Sequence, residues 1–563
     1  MRYLKRLRIQ LYEIAAIALI ACTVISRLVL AVNNWPASDS DEGTFGIEAM
    51  HIAFRGAHPI FMYGQNYLGV IEAYLGAFYF HFFGVSLMTL RLGMITIFTL
   101  FLVALYFLVR LLYTRAFAVV ALLFVSLGND TIIQRQLKAV GGGVETLLFG
   151  TVVLLLASWL AFTAGQQRQH KRWRRRLAYV AWGLAVGLGL WSHMLVAPFV
   201  LSGGLILLVF CWREWRTWAI PCILSGLIVG GFPLIYYNLT VPLGQNSLVV
   251  ALSIEGGSDP WAGVVVGHLG FLQHMVGTFL YALPLATGST AICNLKALPI
   301  YGRQISSNTW LCSLNQGGWS LLYLSLLLMS MAMAIMPLRQ LFKDRLLQRE
   351  TWSEEQRQAA VIHFARLMLL FSGLLTILFY LTSNLTAVKP WSVRYLIALS
   401  IVLPALIWPL WHGVRNRSTI PYWRPFSLIV RYAILLLFGV ILLGGTVLTF
   451  QEIPAAQAAH QNDMLFIHDL EQRGIDRFYS EYWTCYRLVF LSQEKLLCSV
   501  VTTSFKLAPL NRIPSYEPVV ASDPRAAYVF PPDPFAQAAD HNPMIAKHYH
   551  HFMLDGYVVY VPD

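Results

Sequence analysis

The chain has 563 residues, of which 57% are hydrophobic and only 12% charged, with a formal net charge of +13. A soluble globular domain carries about twice that charged fraction, so the composition excludes an ordinary soluble enzyme. The excess of Lys and Arg reads as membrane topology and lipid-headgroup contact, not as a nucleic-acid footprint.

Apolar windows of the ~20 residues that cross ~30 Å of hydrocarbon recur along the chain. They predict about eleven spans, at 11–32, 88–109, 116–128, 144–164, 177–192, 194–211, 218–237, 318–337, 364–381, 394–411 and 426–448. The stretch from Ile14 to Val32 is too long for a signal-peptide core and lacks a small-residue cleavage site, so it is taken as the first span. With the N-terminus cytoplasmic, Lys and Arg concentrate on the inner side, above all in Arg168 to Arg176 and Arg339 to Arg349, as the positive-inside rule requires. Two more apolar stretches, 68–84 and 261–285, contain Glu72, His81, His268 and His274. Counting either as a span would move one of those basic clusters outside. Both are therefore expected to lie at the outer interface or re-enter from it.

The expected fold is a polytopic α-helical membrane protein of the cell or inner membrane. A membrane domain over 1–449 carries a first outer loop at 33–87 and a large outer loop at 238–317. The tail, 450–563, is rich in charges and prolines and is placed outside. Its pattern predicts a small α/β domain: a helix over 455–473 ending at Gly474, a strand at 476–480, a helix at 482–491, a strand at 496–502, and short strands at 528–530 and 557–561. Cys22, Cys211 and Cys222 fall in or beside spans, where cysteine behaves as a small apolar residue. Cys293 with Cys312, and Cys485 with Cys498, share outer segments and are candidates for two disulfides.

Residues suited to chemistry gather in the outer segments. Ser38-Asp39-Ser40-Asp41-Glu42-Gly43 follows the first span, and a helix is expected from about Thr44 to Phe54. One of these side chains would cap that helix. Capping does not account for three carboxylates in four positions beside hydrocarbon, where like charges repel. A carboxylate at a wet membrane cavity suits a general base. The stretch Pro59 to Gly69 offers Tyr63, Gln65 and Tyr67. Aromatic faces and amides fit sugar rings and hydroxyls, and an interfacial aromatic belt is an equal reading. Glu72 opens the next apolar helix and needs a partner or a wet cavity there. After the third span come Asp130, Arg135 and Lys138, then Gly141-Gly142-Gly143 and Glu145. The triple glycine allows a sharp turn or close ligand approach; without a following Gly-Lys-Ser/Thr it is no P-loop. His193 lies in a tight turn between spans five and six. Lys389 and Arg394, with Tyr395, precede span ten. They either snorkel to lipid phosphate or grip one specific phosphate or pyrophosphate.

In this order the residues resemble the C-type (GT-C) glycosyltransferase superfamily, near its protein O-mannosyltransferase and aminoarabinose-transferase group. The resemblance rests on Asp41-Glu42 after the first span, on the amphipathic loop that follows, and on Arg394-Tyr395 before an apolar span containing Leu403-Pro404. The run from Tyr63 to Glu72, with Phe478 to Trp483 and Phe490 to Ser492 in the tail, is similar to a bacterial branch of that group. It covers nearly the whole chain. The resemblance implies hexosyl or pentosyl transfer from a polyprenyl-phosphate-linked sugar to a lipid, protein or polysaccharide acceptor outside the cytoplasm. It implies Asp41 as general base with Glu42 in support, and it matches Glu145 to a position where the family commonly has Asp. Lys389 and Arg394, with Tyr395 and Arg135, would bind the donor phosphate. Tyr63, Gln65, Tyr67, Glu72 and His193 are the candidate substrate contacts.

Breaking a sugar–phosphate bond builds negative charge on phosphate and positive character on the sugar carbon, which nearby cations and a base both favour. Asp39-Ser40-Asp41 has the spacing of a nucleotide-sugar metal motif, but an outer compartment without nucleotide sugars argues against that reading. A divalent metal (Mg or Mn) bridging Asp41, Glu145 and phosphate is compatible and not required. Two competing functions are a lipid or polysaccharide transporter or flippase, and a polysaccharide polymerase or ligase. Transporters place ionisable groups at mid-membrane and show repeated halves; neither pattern is visible in this sequence. The glycosyltransferase reading demands that Asp41 and Arg394 converge at one end of the bundle.

Overall fold

Helix α1 (Arg2–Val32) opens a bundle that continues through α2 (Ser40–Arg55), α3 (Ile71–Phe83), α4 (Leu87–Leu112), α5 (Arg115–Ser126), α6 (Asp130–Leu137), α7 (Gly143–Thr163), α8 (Arg172–Ser192), α9 (Ala197–Glu214) and α10 (Ile220–Gly230). It closes with α11 (Ser307–Gln348), α12 (Glu354–Thr382), α13 (Leu399–Arg415) and α14 (Arg424–Gln451). The computed structural model describes residues 2–164, 172–255, 258–259, 264–265, 270–289, 307–348, 352–383, 390–415, 424–509, 511–532 and 534–563. Among them, seven helices are long and apolar enough to cross a membrane, and the bent pair α5–α6 would make eight. The chain is an integral membrane protein.

Helix α3 has 13 residues, about 20 Å of helix and too short to cross. The apolar run Met194–Gly230 extends over 37 residues, yet it doubles back. Arg175 pairs with Glu214, while Gly183 lies against the backbone of Ile223. Helices α9 and α10 are thus separate arms, as the windows 194–211 and 218–237 predict. Part of the 261–285 stretch lies outside the described residues; of the rest, Val264–Val265 pairs antiparallel with Ser258–Asp259, and Phe271–Thr287 is a helical run.

The third predicted span is a correction. Helix α5 ends at Ser126 and the chain turns 94° into α6, where the sequence suggested a loop. Backbone groups freed by the break find partners, as an apolar setting requires. Arg27 donates to the Ser126 carbonyl at 2.8 Å. Thr446 accepts from Gly128 N–H and donates to its carbonyl, both at 3.0 Å. Asn129 caps α6 through the Ile132 N–H at 2.9 Å. The break aims α6, with Arg135 and Lys138, at the start of α2.

Helices α14 and α15 (Ile453–Gln472) run on as one rod, Ile429–Gln472, of 44 residues. At about 66 Å it outruns the hydrocarbon and carries the tail beyond it. The tail sheet holds β1 (Arg477–Ser480), β2 (Leu497–Val500), β3 (Ala527–Phe530), β4 (Tyr549–Leu554) and β5 (Tyr557–Pro562), in the order β2-β1-β3-β5-β4. β1 is parallel to β2 and β3, and β5 is antiparallel to β3 and β4. Cys485 on α16 (Tyr482–Leu491) is joined to Cys498 on β2, as expected. Cys312 is also disulfide-bonded; Cys293 lies outside the described residues.

The tail docks on α2 through α16. Ser40 Oγ accepts from the N–H groups of Tyr486 and Arg487 at 3.1 and 3.3 Å. Gly43 has no side chain because the Tyr486 carbonyl occupies that space. We predict that Gly43→Val pries α16 from α2. The melting temperature of the intact protein should fall by the equivalent of about 1–3 kcal/mol of overpacking, and the tail should become protease-sensitive. Unchanged melting and proteolysis would contradict the docking.

Candidate active site

Three acids open α2, and the fold gives each a different partner. Asp39 caps the helix, accepting from Glu42 N–H at 3.0 Å. Its other oxygen meets Lys138 Nζ at 2.6 Å. Burial works against the Asp39 charge, but Lys138 outweighs it and holds the carboxyl below its ordinary range. Glu42 is fully buried and takes two bonds from Arg91, at 2.8 and 2.7 Å. Arg91 is also fully buried and donates to the Pro36 carbonyl at 2.7 Å. This pairing locks α2 onto α4 and turns Glu42 away from Asp41, so the geometry gives Glu42 a positioning role.

Asp39 stays 29% exposed but is closed onto Lys138, whereas Asp41, 16% exposed, has no cation so close. Tyr482 donates its hydroxyl to Asp41 Oδ1 at 2.6 Å. Arg512 Nη2 lies 3.9 Å from that oxygen, and Arg394 Nη1 lies 3.8 Å from Oδ2. The expected convergence of Asp41 and Arg394 is therefore met. Arg394 comes from the 3-10 turn Pro390–Leu396 before α13 and donates to Tyr395 at 3.3 Å. Arg135 on α6 lies within electrostatic reach of Arg394, Asp39 and Asp41. Tyr67 lies within reach of both Arg394 and Arg512. Lys389 lies outside the described residues.

Sequence reasoning missed Tyr482 and Arg512 as site residues. Arg512 donates to Tyr482 Oη through Nε at 3.1 Å, and Tyr486 Oη accepts from its backbone N–H at 2.6 Å. With its amide turned so that the oxygen faces the guanidinium, Gln65 accepts from Arg512 at 3.0 Å. The run from Phe478 to Trp483 carried a signal for Tyr482; a lone arginine in a loop carried none.

The remaining candidates divide. His193 stands beside the cluster, its ring 6.0 Å from that of Tyr395 and packed on Gly142. Burial, with Arg394 adding to it, pushes the imidazole down to about 3, so it is neutral, and Nδ1 accepts from Leu195 N–H at 3.1 Å. Glu72 and Glu145 face one another in a sealed setting. Glu72 accepts from Gly141 N–H at 3.0 Å; burial, then Glu145, pushes its carboxyl well above the ordinary range. No N–H or O–H of another residue reaches the Glu145 oxygens among the described residues. Glu145 thus turns to Glu72, and no group of three His, Cys, Asp or Glu among the described residues fits a metal ion. No step below runs through a metal.

Tyr63 belongs to a clasp between α2 and the tail. His51 Nδ1 bonds Tyr63 Oη and Nε2 bonds Glu494, both at 2.9 Å. Tyr516 and Arg55 also donate to Glu494. Above the clasp, the buried Glu48 accepts from Tyr63 N–H, and burial pushes its carboxyl well up.

These elements define a polytopic membrane protein in which α2 and a C-terminal α/β domain jointly build one charged site. Solved structures share the fold. ArnT from Cupriavidus metallidurans bound to undecaprenyl phosphate aligns over 97% of both chains, with a TM-score of 0.50 and 15% identity. The same protein in the apo state aligns over 97% of both chains, with a TM-score of 0.50 and 16% identity. The oligosaccharyltransferase AglB from Archaeoglobus fulgidus, in complex with an inhibitory peptide and a dolichol-phosphate, aligns over 97% of this chain and 74% of its own, with a TM-score of 0.46 and 12% identity. No family model and no curated protein matches the chain. The ArnT likeness bears out the predicted fold, a polytopic α-helical membrane domain with a small C-terminal α/β domain.

The clasp has a pH signature. Burial works to raise Glu494, but bonds from His51 and Tyr516 and the charges of His51 and Arg55 hold it below the ordinary 4.5. A depressed carboxyl stabilises the fold above its unfolded value and loses that contribution as pH falls through the folded one. Glu494→Gln should lower the melting temperature at neutral pH, and the gap to wild type should close below about 4.5. An equal gap at pH 3 and pH 7 would contradict this.

Proposed function

We propose that the protein is a glycosyltransferase that moves a sugar from a polyprenyl-phosphate donor to an acceptor hydroxyl at the extracytoplasmic face. The reading rests on one observation: a partly open carboxylate, Asp41, lies 3.8 and 3.9 Å from two guanidinium groups on separate segments. A base and cations so close suit a reaction in which a hydroxyl loses a proton as a phosphate departs. The undecaprenyl phosphate bound to ArnT, a protein of the same fold, supports a polyprenyl donor. The basic segments at the other end of the bundle support the extracytoplasmic placement.

In this mechanism the acceptor hydroxyl gives its proton to Asp41 while its oxygen bonds the anomeric carbon. The bond from that carbon to the phosphate oxygen breaks, and its electron pair stays on the phosphate. Arg394, with Arg512 and Arg135 nearby, neutralises that charge, and Lys389 is assigned the same task. Tyr67 and Gln65 line the approach, the second through Arg512. The acceptor is a lipid, protein or polysaccharide. The main alternative is a transporter or flippase for the same lipid-linked sugars.

Asp41→Asn should lower sugar transfer in reconstituted vesicles by about 10²–10⁴-fold, the range of a general base, with donor binding and melting temperature retained. Arg394→Gln should weaken donor binding as well. Transfer retained in Asp41→Asn would remove the base, and donor translocation without a transferred product would favour the transporter.

A further inference from the structure

At the opposite end of the bundle lies a cavity of about 810 Å³ between α11, α12, α13 and the α4–α5 turn. Its level is set by α12. Arg366 lines the cavity, whereas Tyr380 on the same helix bonds Ser392 beside Arg394. Fourteen residues of helix separate them, about 21 Å. The cavity is therefore distinct from the Asp41 site and opens at the end that the basic segments mark as cytoplasmic.

The lining is asymmetric in chemistry. Arg366 sits in an aromatic cage, 4.4 Å from the Tyr113 ring and 5.2 Å from that of Trp408. Its Nε and Nη2 cap the Leu112 carbonyl at the end of α4. Its Nη1 has no partner among the described residues. His363, one turn earlier, makes no hydrogen bond among the described residues, and its buried Nδ1 is unsatisfied. The buried Trp411 Nε1–H is likewise unsatisfied. His412 lines the same space, with Arg431 within electrostatic reach of it. Among the described residues no carboxylate lines the cavity, and Met333, Met336 and Leu370 supply its apolar wall. Buried donors left without acceptors cost free energy unless a ligand accepts from them. The volume falls in the range of small-molecule sites, about 300–1,000 Å³.

We propose that this cavity binds the phosphate headgroup of an anionic lipid from the leaflet at that end. The phosphate accepts from Arg366 Nη1, His363 and Trp411, and the first part of the chain lies against Met333 and Met336. Basic recesses between membrane helices on the cytoplasmic side hold anionic headgroups by this combination of charge and hydrogen bonding. The site does not depend on the glycosyltransferase reading.

The test is photolabelling of the full-length protein in vesicles, followed by peptide mapping. Three probes carry a diazirine at the first chain carbons: phosphatidylglycerol, undecaprenyl phosphate and zwitterionic phosphatidylcholine. Labelling near Met333 and Met336 by phosphatidylglycerol identifies a bulk anionic phospholipid; labelling there by undecaprenyl phosphate alone identifies a carrier lipid. His363→Leu should cut this labelling by about tenfold, the value of one charge-assisted bond, while the melting temperature holds or rises, since His363 bonds nothing in the protein. Arg366→Gln should do the same but also loses the α4 cap, so His363→Leu is the deciding variant. Equal labelling by phosphatidylcholine, no labelling, or full labelling in His363→Leu would overturn the proposal.

Discussion

The Asp41 carboxylate, near the start of the chain, is held by residues from its far end. Tyr482, 441 positions away in sequence, donates to it at 2.6 Å, and Arg394 and Arg512 flank it. That contact exists only if three separate pieces of structure are in register. α2 must start at Ser40, α16 must dock on it, and the turn before α13 must present Arg394. The sealed Arg91–Glu42 pair fixes the first of these against α4. Removing one partner of such a pair strands a buried charge at a cost of several kcal/mol, so this register is strongly enforced.

Helix geometry resolves what a run of acids could not. Successive residues on a helix point about 100° apart, so Asp39, Asp41 and Glu42 face different neighbours. Asp39 turns to its own backbone and Lys138, and Glu42 turns inward to Arg91. Asp41 turns to the tail and to Arg394. All three benefit from the positive N-terminal end of α2, and Asp39 and Glu42 each have a dedicated cation. Asp41 shares its cations with whatever enters the open side, which suits a group that must exchange a proton.

Much of this was legible in the sequence. Apolar windows located the main helices, because hydrocarbon thickness sets their length. The acidic cluster, Arg394 and the Cys485–Cys498 pair were legible from type and spacing alone. The tail strands at 476–480, 496–502, 528–530 and 557–561 were found, but β4 was not. Its His-rich edge strand lacks the alternation that marks a half-buried one, although Asp555-Gly556 signals the hairpin turn between β4 and β5. Helix α6 was read as loop because its stop and restart depend on partners distant in sequence, Arg27 and Thr446. Glu72 and Glu145 looked like separate site acids; only their mutual burial reveals a pair. Arg512 was invisible, since nothing local distinguishes an arginine that reaches a site from one that faces solvent.

The account stands on Asp41 and the flanking cations forming a single locus for a lipid-linked sugar. The most direct measurement is an experimental structure of the full chain with a polyprenyl-phosphate sugar bound. It should show phosphate oxygens within hydrogen-bond distance of Arg394, with the anomeric carbon on the Asp41 side and Tyr482 still holding Oδ1. A donor phosphate seated away from Arg394, or a sugar out of reach of Asp41, would contradict it.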